Sequence, residues 1–395
     1  MAKKQSLAEK VDSTVATEKT VETSVNNFDK LRVLTNDLNK HYGSNVIKTG
    51  DNIPRIYKVR SDEPAIDFTN NGGYPISRMI EALGQEHSGK TRNGLIAMGK
   101  WQKYCFNCHT NGSLKAEWEL DENKFPSLKS CSCSNCSKPK TCIQVMVDIE
   151  GTTDPDFMHL FGIDILGVLY FRPKLFSQAV DIVDAYIRNP LVGFIMLDSI
   201  ASIGADKEIE NQMQENKMNQ NALQTNQAIR KWQAALNANT NEDPESPTTL
   251  YIVNQSYSSI GMYSYEIPQG GRGIRHGKGL SMKTRIEEKV TSKNKTQVLG
   301  VHIKIENTKN KTGIPYRFMS YYISLEGGEN YCQSDKQLQI VDLAVAFGIV
   351  SLNGSWYSYE GIKIGQGKDK VVELLRDNEE LYLEIKEKVY AAIGQ

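Results

Sequence analysis

Eight residues constrain this chain more than any others: Gly84-Gln-Glu-His-Ser-Gly-Lys-Thr91 fits G-x-x-x-x-G-K-[ST], a phosphate-binding loop. In such a loop successive backbone N–H groups and the start of the following helix cradle phosphate oxygens. Lys90 reaches the β- and γ-phosphates, and the Thr91 hydroxyl sits on Mg²⁺. Glu86, His87 and Ser88 complete the loop. Glycine is needed at 84 and 89, where a Cβ would block the tight turn or the ligand. The flanks comply, since Arg78-Met-Ile-Glu-Ala-Leu83 reads as a short buried strand and Asn93-Gly-Leu-Ile-Ala-Met-Gly-Lys-Trp101 continues as a helix.

At 395 residues the chain exceeds what one compact core usually holds, so two or three domains are expected. With 39% apolar and 24% charged residues and no long apolar run, it reads as globular, with no membrane partner. The opening Met-Ala-Lys-Lys-Gln-Ser lacks an apolar h-region, so no secretory signal is expected and the cytoplasm is the expected location. Lys+Arg and Asp+Glu both number 47, so nucleic-acid binding must come from a local patch or from repetition in an assembly.

Six of the seven cysteines lie between 105 and 142, a pattern of a metal site in a reducing compartment rather than of disulfides. Cys105-Phe-Asn-Cys108 and Cys133-Ser-Asn-Cys136 are two C-x₂-C knuckles, and between them Leu114, Ala116, Trp118 and Leu120 alternate as in a half-buried strand. The pattern describes a zinc ribbon held by Cys105, Cys108, Cys133 and Cys136, with Cys131 and His109 as alternative ligands. Zn²⁺ would hold together a segment with too little apolar mass to fold alone. Cys142 and Cys332 read as small buried hydrophobes.

Residues 1–26 read as a mobile tail or a weak helix, and Phe28, Leu31, Leu34, Leu38 and Tyr42 form a helical stripe in want of a partner. Residues 43–75 should be a short strand plus loops. Ile143–Ile149 resumes as a strand ending in Glu150, placed where the attacking water would sit, hence a candidate general base. After a helix over about 175–188, Val192–Leu197 forms an apolar strand ending in Asp198-Ser199, with Asp198 placed to hold the magnesium shell. Ten of the seventeen residues in 211–227 are Asn or Gln, and a helix over 228–236 follows. Thr249–Val253 is the next strand and ends in Asn254-Gln255. Residues 256–279 then form a glycine-rich, aromatic and basic loop that supplies cations for phosphates and flat groups for bases. Thr296–Ile305 and Tyr316–Leu325 alternate as antiparallel strands with a turn at Lys309-Asn-Lys311. Gly327-Gly328 reads as a boundary, before two or three helices and a Trp356–Lys363 hairpin.

This order of parts resembles the bacterial and phage RecA recombinases from about residue 28 to 393. The resemblance rests on Gly84–Thr91, Val147-Asp-Ile-Glu-Gly-Thr-Thr-Asp-Pro155, Leu197-Asp-Ser-Ile-Ala201, Asn254-Gln255, Lys309-Asn-Lys311, and Trp356-Tyr-Ser-Tyr with Lys363-Ile-Gly-Gln-Gly-Lys368. It implies an α/β fold: a RecA-type phosphate-loop ATPase core with a mostly parallel central sheet, an N-terminal helix, the ribbon-like insert and a small α+β C-terminal domain. The corresponding boundaries are 1–45, 46–326 with the insert at 105–141, and 327–395. It further implies that ATP and Mg²⁺ are bound by Gly84–Thr91, Asp198 and Ser199, that Asp154 and Phe157 meet adenine, and that Gln255 senses the γ-phosphate. Lys309 and Lys311 would reach the neighbouring subunit's ATP, with Arg275 near a third interface cation. Residues 210–218 and 256–275 sit where the family's two DNA-binding loops lie, which points to Met218, Arg230, Ser258, Ile260, Gly270, Gly271 and Arg272. Single-stranded DNA, duplex DNA, further copies of the chain and a recombination mediator or single-strand-binding protein are the implied partners.

The departures matter too. The insert replaces a short helix–strand turn, the second loop is about two residues shorter, and Tyr257, Ser259 and Leu223 stand where cations are common. No acidic run follows the last helical stripe, Leu381, Ile385, Val389 and Ala392. A phage or otherwise divergent member fits these differences, in which case the location is the host cytoplasm. The rival expectations are a DNA-binding filament or loading protein that uses the ribbon for partner contacts with little strand exchange, and a ring-forming helicase, against which the Trp356–Lys368 segment argues.

Overall fold

A computed structural model describes residues 27–42, 47, 49–53, 55–200, 217–242, 248–258, 266–268, 274 and 276–394. Two compact units divide the chain, 1–55 and 56–395. In the first, helix α1 (27–42) leaves Phe28, Leu31, Leu34 and Tyr42 exposed, and the Asn39 amide ties its end to the backbone of Ile47.

The second unit opens with β1 (Lys58–Val59), helix α2 (Pro64–Thr69) and β2 (Tyr74–Pro75), the two strands pairing antiparallel. A short strand plus loops was expected over 43–75, where the structure has two short strands and this helix. The local cause of the helix is Pro64 at its first position, where the missing N–H costs nothing and φ is already helical. The phosphate loop joins β3 (Met79–Gly84) to α3 (Lys90–Trp101). The ribbon hairpin, β4 (Leu114–Leu120) and β5 (Pro126–Cys133), precedes β6 (Ile143–Asp148). Next come α4 (Pro155–His159), a 3-10 turn at Ile165–Gly167, β7 (Val168–Phe171), α5 (Phe176–Ile187) and β8 (Val192–Asp198). Helix α6 (Lys217–Glu242) is far longer than the 228–236 segment expected. It leads to β9 (Thr249–Ser258), β10 (Glu266–Pro268), β11 (Leu280–Thr291), β12 (Val298–Asn310) and β13 (Phe318–Ser324).

The central sheet runs β13-β12-β11-β3-β9-β8-β6-β7, with β10 added to β9. Every pair from β11 to β7 is parallel, while β12, β13 and β10 pair antiparallel. Parallel strands must be covered on both faces. Along β8, Phe194 and Met196 face the core shared with Leu95, Met98 and Trp101 of α3, and Ile195 and Leu197 face the one shared with Val183 of α5 and Trp232 of α6. The carboxyl ends of β3, β6, β8 and β9 therefore open at one edge of the sheet, where ligands bind in such folds.

Two expectations are corrected here. The segment 256–279 is not all loop: β9 continues through Ser258 and pairs with β10 (Ser256↔Pro268, Ser258↔Glu266), and Lys278 is buried. The C-terminal hairpin is a three-stranded sheet, β14 (Val350–Asn353), β15 (Trp356–Tyr359) and β16 (Ile362–Gln366). It packs with α7 (Lys336–Ala346), α8 (Lys368–Asp377) and α9 (Glu379–Ile393) around Ile340, Tyr357, Val371 and Val389. Polar contacts fix this group to the core: the Tyr390 hydroxyl donates to Asp67 at 2.8 Å, and the Ala65 N–H donates to Gln339 at 2.9 Å.

Candidate nucleotide site and cysteine cluster

The loop between β3 and α3 leaves no room for a side chain at its first glycine. A Cβ on Gly84 would lie 2.3 Å from the Thr284 carbonyl oxygen, and Gly89 holds φ at +87°. Within the loop, Ser88 Oγ lies 2.7 Å from the Gln85 carbonyl and 2.9 Å from Thr284 Oγ1, and Lys90 Nζ donates to the same carbonyl at 2.5 Å. Burial pulls the Lys90 pKa below its ordinary value. An ammonium held on a backbone oxygen with its water stripped away is prepared for an anion.

Carboxylates converge opposite. Thr91 Oγ1 donates to Asp198 Oδ2 at 2.7 Å, and burial raises the Asp198 pKa to about 6 against the lowering effect of that hydrogen bond. Ser199 Oγ donates to Glu150 Oε1 at 2.6 Å, and Gln255 Nε2 lies 3.4 Å from the same oxygen. A cavity of about 370 Å³ collects Glu86, His87, Ser88, Gly89, Lys90, Thr91, Glu150, Phe157, Asp198 and Gln255 in one lining. Asp154 is not in that lining; its Oδ1 caps α4 by accepting from the N–H groups of Asp156 (2.7 Å) and Phe157 (3.2 Å). In this position it caps the start of the short helix that carries Phe157.

Several contributors were not expected from the sequence. Tyr331 and Cys332 form one wall, with the Tyr331 ring 6.2 Å from that of Phe157, and Ile303 and Ile323 form the apolar floor beside Gly89. Asp148 orders the loop after β6: its oxygens accept from Gly151 N (2.7 Å), Thr153 N (3.0 Å) and the Tyr170 hydroxyl (3.0 Å). Burial opposes its charge, yet the Thr153 and Gly151 N–H groups and the Tyr170 hydroxyl together hold its pKa below the usual carboxylate value. An aspartate three residues before Gly-Thr-Thr, able to accept from the backbone ahead of it, was the available signal.

Beneath the loop lies a buried polar knot. Glu81 on β3 accepts from Lys278 Nζ, Ser281 Oγ (2.8 Å) and Asn254 Nδ2 (2.9 Å). Lys309 and Lys311 sit outside the cavity lining, and both donate to the His276 carbonyl, at 3.3 and 3.4 Å. Arg230 lies exposed on α6, Met218 lies in the first turn of the same helix, and Ser258 ends β9. Ile260, Gly270, Gly271, Arg272 and Arg275 fall outside the described residues.

The two knuckles come together. The Sγ atoms of Cys105, Cys108, Cys133 and Cys136 all lie within 4.8 Å of one another, with Cys105–Cys136 and Cys108–Cys133 at 3.6 Å. Four thiolates around a tetrahedral ion with bonds of about 2.3 Å stand ~3.8 Å apart, so the cluster fits Zn²⁺. Neither alternative ligand, Cys131 nor His109, is part of this cluster, and the His109 ring stacks on Tyr57 with centroids 3.5 Å apart. Strand alternation holds at Leu114 and Trp118 but fails at Leu120, which is exposed beyond a bulge at Glu117/Trp118.

A strand–loop–helix anion cradle, two strand-end carboxylates and a polar residue at the next strand end, on a mostly parallel sheet, define a phosphate-loop nucleotide-binding protein of the α/β class. Residues 127–329 match the family model of the RecA N-terminal domain, and residues 338–394 match that of the RecA C-terminal domain. The chain belongs to the RecA family. It is 29% identical to Protein RecA of Corynebacterium aurimucosum over 362 residues, covering 90% of this chain and 83% of that protein. To Protein RecA of Frankia casuarinae it is 29% identical over 375 residues, covering 93% and 94%. Among the described residues no helix is long and apolar enough to cross a membrane.

Proposed function

We propose that this chain is an ATP-dependent DNA recombinase: it polymerises on single-stranded DNA, pairs that strand with a homologous duplex and hydrolyses ATP in response to DNA. Membership of the RecA family supports a recombinase and ATPase in general terms. The observation that carries the finer reading is the convergence of Lys90, Thr91, Glu150, Asp198 and Gln255 on one cavity.

ATP would lie with its phosphates along residues 84–91 and its base toward Phe157 and Tyr331. Thr91 Oγ1 and Asp198 fit a Mg²⁺ ion, which would supply charge neutralisation at the β- and γ-phosphates. Glu150, aimed by the Ser199 hydroxyl, takes the proton of the attacking water. Gln255 shares the Glu150 oxygen and begins the end of β9 that runs toward residues 259–273, so a change at the γ-phosphate reaches the expected DNA-binding segment through one side chain. Lys309 and Lys311 would complete the ATP site of an adjacent copy, and the exposed stripe of α1 would pack on a neighbouring subunit. The four cysteines would hold a structural Zn²⁺.

The test is ATP hydrolysis with and without single-stranded DNA, on the same sample viewed by negative-stain microscopy. DNA-stimulated turnover with helical filaments is the expected result, and Glu150→Gln should abolish turnover while DNA-bound filaments persist. Rings with stimulated turnover would favour a helicase. Absence of both stimulation and filaments would favour a DNA-binding or loading protein.

A further inference from the structure

The insert does not hang free of the ATPase core. At its first knuckle Asn111 Oδ1 accepts from the Arg60 N–H at 2.8 Å, and His109 stacks on Tyr57. Its hairpin packs on the turn Ile165–Gly167: a Cβ at Gly167 would fall 2.7 Å from the Trp118 indole nitrogen, so the ring lies against bare backbone. The same turn is tied to the end of the phosphate-loop helix. Gln102 exchanges two hydrogen bonds of 2.8 Å with the backbone of Asp164, whose carboxylate caps Leu166 N at 3.0 Å.

Immediately after this turn runs β7, four residues long, whose one neighbour among the described strands is β6. A short edge strand paired on one side is weakly held by its own ladder. It and the residue that follows it nevertheless carry two contacts that matter to the catalytic loop. The Tyr170 hydroxyl donates to Asp148, which in turn accepts from the N–H groups of Gly151 and Thr153, and the Arg172 guanidinium lies against Gly151. Glu150 sits inside that span.

We propose that the ribbon is part of the apparatus that positions Glu150, acting through Trp118, the turn Ile165–Gly167 and the Tyr170 hydroxyl. The proposal rests on Glu150 being the general base. Trp118 and Tyr170 are positioning residues: neither lines the nucleotide cavity. The ribbon supplies the lateral packing that an edge strand lacks, β7 thereby holds the Tyr170 hydroxyl on Asp148, and Asp148 keeps the backbone of 151–153 folded beneath the carboxylate that must meet the water. Loss of zinc order would free Trp118 from Gly167 and reach the active site as a loosened loop rather than as a lost ligand contact.

The experiment uses the full chain, zinc-loaded, in three variants, Tyr170→Phe, Trp118→Ala and the double, with Glu150→Gln as control. Steady-state ATP hydrolysis and amide hydrogen exchange over residues 150–154 are both measured. Tyr170→Phe removes one oxygen and should lower kcat by about five- to twentyfold with KM for ATP within twofold. Exchange at Gly151 and Thr153 should accelerate in parallel, and Trp118→Ala should do the same. The double variant should be no worse than the weaker single, because both act on one contact. Chelating the metal from wild type should accelerate the same amides, and should leave Tyr170→Phe protein little changed there. Unchanged kcat and exchange in Tyr170→Phe, or multiplying losses in the double variant, would overturn the proposal. If Trp118→Ala fails to fold, chelation decides the ribbon's part, and unchanged exchange at Gly151 and Thr153 in metal-depleted wild type would overturn it. Persistent hydrolysis in Glu150→Gln would instead remove the general-base reading, a failure distinguishable because the amide exchange still reports whether Tyr170 holds the loop.

Discussion

Lys278→Met tests whether the knot under the phosphate loop is a structural ion pair. The Glu81 and Lys278 side chains are 1% and 8% exposed, so the variant leaves a carboxylate in the middle of the sheet with two neutral donors among the described residues, Asn254 and Ser281. Removing one partner of a buried pair costs about 3–5 kcal/mol, whereas removing both is often close to neutral. At ~2–4 °C per kcal/mol for a large domain, the single variant should melt roughly 6–20 °C below wild type. Thermal denaturation at pH 8 should show this deficit, and the double variant Glu81→Gln/Lys278→Met should recover most of it. A deficit under about 1 kcal/mol at pH 8, or a double variant no better than the single, would refute the assignment.

Two further outcomes are expected. Asp67 is fully buried with its pKa raised to about 6, chiefly by that burial. The folded state therefore holds the proton more tightly than the unfolded chain, and stability falls as pH rises from about 3.8 to 6 by up to ~3 kcal/mol; denaturant titrations should show this slope vanish in Asp67→Asn, which should match or exceed wild type at pH 7.5. Elemental analysis should give one zinc per chain, and Cys108→Ser should lose it together with protection of the hairpin amides while the core transition remains. A metal-free chain with an ordered hairpin would count against the quartet.

The site was legible where chemistry is written locally. The phosphate loop, the strand-end Glu150 and Asp198 and the paired knuckles are short patterns whose residue types have one economical explanation each, and these residues converge. What escaped was mostly non-local. Thr284 closes on Gly84 from 200 positions away, and Tyr331 and Cys332 reach the cavity from beyond the last strand of the core sheet. No period or spacing marks such contacts. The β9–β10 hairpin was missed because glycine and serine dominate its surroundings, although Tyr257 and Ile267 directly oppose each other in its ladder. Glu81 was the overlooked signal: a charge inside an apolar strand destined for burial on both faces demands a partner, and that demand could have been placed on Lys278 only once β3 and β11 were known to be neighbours.

That pair also bears on how the two ends of the site communicate. β9 ends at Ser258, β10 (Glu266–Pro268) pairs back onto it, and the described chain resumes at Ile274, so the expected DNA-binding segment has two stems. Asn254, one residue before Gln255, anchors the outgoing stem to Glu81, and Lys278 anchors the returning stem to the same carboxylate. Two residues before Lys278, the His276 carbonyl receives both Lys309 and Lys311. A single buried side chain on the strand that leads into the phosphate loop thus fixes both feet of the expected DNA-binding segment and the register of the two lysines expected to act on a neighbour. If so, Glu81→Gln/Lys278→Met should regain stability without regaining full stimulation by DNA, because an apolar base restores packing but not the two-footed register.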